Sequence, residues 1–134
     1  HNSLKRISKK YKKRILLFKY VDYINELMGI SDLIITKPGG VTTAEALAKK
    51  LPMVIVKPIP GQEANNTNYL LEKQAAIKID KTKDINSVIE DLLTNPNKLR
   101  HLRQRAGLIS KPNASLDIAK LLLDLSNKRA YLYK

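Results

Sequence analysis

Two short stretches hold most of the side chains whose type and spacing suggest chemistry. The first is Lys37-Pro38-Gly39-Gly40-Val41-Thr42-Thr43-Ala44-Glu45, and the second is Pro58-Ile59-Pro60-Gly61-Gln62-Glu63-Ala64-Asn65-Asn66. A glycine pair that ends an apolar run and opens a helix leaves backbone N–H groups unpaired beside the positive end of the helix dipole. That combination suits an anion, phosphate above all. Glu45 follows Thr42 at capping-box spacing, so one reading is purely structural: the Thr42 hydroxyl and the Glu45 carboxylate satisfy each other's amides. The other reading is a ligand contact, because a carboxylate accepts two O–H donors at once and so matches a cis-diol. The turn fits neither G-x-G-x-x-G nor G-x-x-x-x-G-K-[ST], and alone it is also what a tight strand-to-helix connection needs. Gln62, Glu63 and Asn66 are suited equally to capping a helix and to binding ligand hydroxyls. Lys37 suits a phosphate or bulk solvent.

The elements around these stretches must bring them to one place. Asp32–Thr36 and Met53–Val56 are short apolar runs rich in β-branched residues, as expected of buried parallel strands. Each is followed by one of the two polar stretches, so both loops are predicted at the carboxyl edge of one sheet, where open α/β sheets bind ligands. The helix between them is closed by Leu51-Pro52. Ile15–Phe18 reads as a further strand and Val21–Met28 as a short helix ended at Gly29. A helix continues over Thr67–Gln74, and Ala75–Ile79 is a fourth, edge-ward strand. Asp84–Thr94 is amphipathic through Ile85, Val88, Ile89, Leu92 and Leu93, with Asp84 as N-cap. Lys98–Ile109 forms a basic helix. A last helix starts at Asn113 or Ser115 and reaches Ser126, before a charged tail over Asn127–Lys134. At the other end, His1–Arg14 is strongly basic with Leu4, Ile7 and Tyr11 at helical spacing, either a solvated helix or a contact for anionic lipid headgroups. Tyr20, Tyr23 and Tyr69 read as packing residues and His101 as exposed.

The 134 residues suit one α/β domain. There is no cysteine, so a disulfide framework and a thiolate metal site are both excluded, in keeping with a reducing cytosol. No apolar run approaches the length of a bilayer span. The net charge of +13 favours anionic partners: nucleic acid, anionic lipid or a phosphate-bearing substrate. Aromatic residues are few, six tyrosines and one phenylalanine without tryptophan. That is a poor platform for base stacking, and a nucleic-acid-binding module driven by charge alone is the alternative of another class.

The spaced pattern KPGG-x-T-x-x-EA followed by P-x-PGQE-x-x-N resembles the donor-binding segment of GT-B glycosyltransferases. Among these it is most similar to processive diacylglycerol glucosyltransferases and monogalactosyldiacylglycerol synthases, and more distantly to the lipid II GlcNAc transferase. The resemblance runs from about Ser3 to about Ala119. It implies a Rossmann-like parallel sheet flanked by helices, truncated to about four strands, with the whole chain as a UDP-sugar-binding C-terminal domain and the N-terminal acceptor domain absent. The implied activity is transfer of a hexosyl group from a UDP-hexose to a glycerolipid such as diacylglycerol, peripherally on the inner face of the cell membrane. Lipid II-type transfer or UDP-sugar epimerisation on the same fold are the alternatives. By the same resemblance, the backbone of Val21 meets the uracil. Gly39, Gly40, Val41, Thr42 and Thr43 bind the diphosphate, Glu45 the ribose, and Gln62, Glu63 and Asn66 the donor sugar. It implies neither a metal nor a cofactor, and it puts the catalytic base in the missing domain.

Overall fold

The computed structural model describes residues 14–131. Three parallel strands, β1 (Ile34–Thr36), β2 (Met53–Val56) and β3 (Ala76–Ile79), lie side by side in sequence order. Between them run α2 (Gly40–Ala48) and α3 (Gln62–Glu72), with α1 (Ile24–Ile30) ahead of β1. A 3₁₀ turn over Thr82–Asp84 then leads into α4 (Ile85–Thr94), α5 (Pro96–Ile109) and α6 (Ala114–Tyr131). This is an α/β fold with a Rossmann-like sheet covered on both faces.

Central β2 explains why its sequence is a continuous apolar run: Met53, Val54 and Ile55 are fully buried. Side chains alternate across the sheet. Met53 and Ile55 join Leu47 of α2, Leu70 of α3 and Ala106 of α5 on one face. Val54 and Val56 join Leu92 of α4 and Leu102 of α5 on the other. Helices α2 and α3 therefore share a face, which places their amino ends next to each other above the carboxyl edge of the sheet. Both helices end alike. After α2 the Leu51 amide reaches back to the Ala46 carbonyl (2.9 Å) and after α3 the Ala75 amide reaches Leu70 (2.9 Å). The residue in the left-handed conformation is not glycine in either case: Lys50 has φ 53° and Gln74 φ 56°.

Several expectations change. Ile15–Phe18 is irregular rather than a strand, with Leu16 77 % exposed, so the described residues form three strands and not four. A four-residue apolar run does not by itself tell a strand from irregular backbone. Strand β1 starts at Ile34, where pairing with Met53 begins, instead of at Asp32. Helix α2 starts at Gly40 with Gly39 as N-cap (φ −62°, ψ 151°), so Thr42 lies inside the first turn and the Thr42–Glu45 capping box does not form. Helix α3 starts at Gln62, which moves Gln62, Glu63 and Asn66 from a loop onto a helix. Asp84 does precede α4, but as the end of the 3₁₀ turn it has helical backbone angles and makes no side-chain cap. Tyr20 is 89 % exposed and does not pack, whereas Tyr23 meets Phe18 edge-on at 6.3 Å. Helix α6 runs on past Ser126 to Tyr131. The basic segment expected as a helix over His1–Arg14 lies outside the described residues apart from Arg14.

Candidate functional site

The chain leaves β1 at Thr36 and turns through Lys37-Pro38-Gly39, where the Gly39 amide donates to the Lys37 carbonyl (2.9 Å). The first intrahelical bond of α2 runs from the Thr43 amide to the Gly39 carbonyl (2.9 Å). The amides of Gly40, Val41 and Thr42 thus occupy the positions that a helix leaves without internal partners, and Gly40 and Val41 are exposed. Thr43 is placed differently from the other expected anion ligands. Its amide is committed within the helix, and its hydroxyl is buried without a partner among the described residues. Gly39 has a conformation open to any residue, and a Cβ built on it would meet nothing within 4 Å. The fold does not require glycine there, and the missing side chain leaves the backbone beside it open.

The second stretch is bound to the first. Asn66 Nδ2 donates to the Pro38 carbonyl (2.8 Å), and the Gln62 amide nitrogen lies 3.7 Å from where a Cβ of Gly40 would sit. Glu63 Oε2 accepts the Ile59 amide (2.7 Å), tying the Pro58–Gly61 loop to α3. Gly61 caps this helix at φ 96°, ψ −125°, a conformation that side chains rarely adopt. A cavity of about 270 Å³ opens between α2, α3 and the start of α6, lined by Gly40, Thr43, Asn66, Tyr69, Ile109 and Lys111 among others.

Glu45 lies elsewhere on the same helix. At 100° per residue it points about 160° away from Thr43, hence away from the flank that meets α3. Thr42 and Glu45, three residues apart, share that other flank. Both are partly exposed. The arrangement is an N-terminus with two sides: Gln62 and Asn66 on one, Thr42 and Glu45 on the other. Val21 lies in irregular, half-buried backbone just ahead of α1, so its peptide groups fall outside any regular element. Lys37 is exposed at the turn. One residue here escaped notice in the sequence: Lys57, the first after β2, has φ 44°. Its signal points the wrong way, because a residue before proline favours extended backbone.

Comparison with known proteins bears on this geometry. The description Glycosyltransferase family 28 C-terminal domain matches residues 1–122. Processive diacylglycerol beta-glucosyltransferase of Bacillus cytotoxicus is 35 % identical over 108 residues, which is 81 % of this chain and 28 % of that protein. Its counterpart in Staphylococcus carnosus is 38 % identical over 91 residues, 68 % of this chain and 23 % of that protein. In Bacillus subtilis the counterpart is 34 % identical over 102 residues, 76 % of this chain and 27 % of the other. The chain spans less than a third of the length of these relatives. Matched over residues 1–122 and folded as a helix-flanked parallel sheet, the chain belongs to the glycosyltransferase family 28 C-terminal domain family.

Proposed function

We propose that this chain is the donor-nucleotide part of a UDP-sugar-dependent hexosyltransferase whose acceptor is a membrane glycerolipid such as diacylglycerol. The observation that carries the reading is the start of α2: exposed amides after a glycine turn, with Thr42 and Glu45 along one flank and the Gln62–Asn66 turn of α3 along the other. The diphosphate rests on the amides of Gly40 to Thr42 and the Thr42 hydroxyl, with Gly39 leaving the approach open. Glu45, a turn further on, takes the ribose hydroxyls, and the backbone at Val21 takes the uracil. Gln62 faces the hexose, with Glu63 and Asn66 beside it on the same stretch of α3. Glycosyl transfer expels UDP, so negative charge grows on the leaving phosphate. Amides and a helix dipole fixed at that point hold the departing charge without reorganising.

The relatives' name, processive diacylglycerol beta-glucosyltransferase, supports glucose as the hexose and diacylglycerol as the acceptor. Further polypeptide supplies the acceptor face and the catalytic base, so the chain alone binds the donor and does not turn over. None of the described helices is long and apolar enough to cross a membrane. The proposed contact with the membrane is electrostatic, favoured by the net charge of +13 on anionic lipid.

Isothermal titration with UDP tests this directly. Saturable binding to the wild-type chain is expected, weakened about 10- to 100-fold in Glu45→Gln, as for loss of hydrogen bonds to a charged group. Failure to bind UDP, with salt-sensitive binding of a short DNA duplex that ignores Glu45, would overturn it.

A further inference from the structure

Resting on the UDP-hexose reading above, we infer that Asn66 is a positioning residue for the glycine turn, its amide holding the diphosphate-binding peptides in place before any donor arrives. The resemblance gives Gln62, Glu63 and Asn66 a single task; the geometry separates them. Asn66 reaches across 28 residues of sequence to the Pro38 carbonyl at 2.8 Å, and Pro38 is itself fully buried. That carbonyl belongs to the peptide entering Gly39, whose own carbonyl accepts the Thr43 amide and so starts α2. Holding this peptide sets the direction in which the Gly40, Val41 and Thr42 amides point. Glu63 does the matching work on the other loop, its carboxylate accepting the Ile59 amide at 2.7 Å. Helix α3 therefore fastens both loops of the crevice with one side-chain-to-backbone bond each.

The hydrogen-bonding capacity left over supports the division. Asn66 offers two N–H donors and one carbonyl oxygen, and one of the donors already serves the turn. Gln62, exposed and with no hydrogen bond of its side chain among the described residues, keeps both ends of its amide for a ligand. An anion site gains most when its donors are aimed beforehand, because nothing then reorganises on binding.

The experiment compares UDP, which lacks the sugar, with UDP-glucose. Calorimetry is run on the wild-type chain, Asn66→Ala, Asn66→Asp and Gln62→Ala. Asn66→Ala and Asn66→Asp are expected to weaken UDP and UDP-glucose by the same factor, about tenfold, since both remove the N–H that holds the turn. Gln62→Ala is expected to weaken UDP-glucose alone. If Asn66→Ala binds UDP as wild type does and loses only UDP-glucose, Asn66 is a sugar contact and the inference is wrong. A wild-type chain that binds neither ligand would sink the nucleotide reading itself, and this inference with it.

A measurement on the wild-type chain guards against variants that unfold. In the ligand-free protein, nuclear magnetic resonance should show an Asn66 side-chain amide proton protected from solvent exchange and coupled through its hydrogen bond to the Pro38 carbonyl carbon. An Asn66 amide that exchanges freely until UDP-glucose is added would equally overturn the inference.

Discussion

Two glycines at the crevice differ in what the fold asks of them. Gly61 needs its lack of a side chain for the fold, since it caps α3 at φ 96°, ψ −125°. Gly61→Ala is expected to cost about 1–3 kcal/mol and to lower the melting temperature. Gly39 has an ordinary extended backbone and empty space where a Cβ would go. Gly39→Ala is expected to leave stability within about 0.5 kcal/mol of wild type while weakening UDP binding. Thermal melts beside calorimetry separate the two, and a Gly39→Ala chain that binds UDP normally would remove the ligand from this turn. At this scale the sequence named the participants but not their couplings. Gln62, Glu63 and Asn66 were legible as polar groups near the glycine turn. The Asn66–Pro38 bond was not, because its acceptor is a backbone carbonyl and leaves no trace in residue type. Lys57 was illegible for the reverse reason: its left-handed backbone runs against the local preference.

Among the elements, the join between α4 and α5 carries an exposed ion pair beside its apolar contacts. Asp91 near the end of α4 accepts Lys98 Nζ at 2.6 and 2.7 Å and Asn95 Nδ2 at 3.1 Å. The Lys98 hydrogen bond holds its carboxyl below the ordinary value of 3.8; desolvation opposes it, and the Asn95 hydrogen bond adds a lesser lowering effect. A depressed carboxylate contributes stability that is whole above the unfolded value and drains as pH falls through the folded one. Melting temperature measured against pH should therefore drop on the acid side of 3.8 more steeply for wild type than for Asp91→Asn, the two converging at the acid end. The effect is small, since the pair is exposed and screened by salt. Most elements were legible from period and length. Strand β2 was read to the residue because an unbroken apolar run of that length between turns admits little else. The capping box failed because the helix began at Gly40, ahead of the residues expected to cap it, and Ile15–Phe18 failed because a four-residue apolar run does not by itself tell a strand from irregular backbone.

For the molecule as a whole, three strands between two helical layers account for the buried side chains, and the sequence foretold that layering. It did not foretell that α6 would stand clear of the core, with Leu121, Leu122 and Leu123 each more than half exposed. Apolar content alone does not say what a helix packs against. The sheet has the same property at its rim. Among the described residues β1 pairs only with β2, and Ile35 on it is 43 % exposed. A rim strand with no second strand partner among the described residues can recruit the extended backbone of another copy. Sedimentation velocity over a range of concentrations should accordingly reveal self-association that Ile35→Lys suppresses, with UDP affinity unaltered; a wild-type chain that stays monomeric throughout would contradict it. On that expectation, dilute stocks and a charge at position 35 are the conditions that should keep copies of this chain apart.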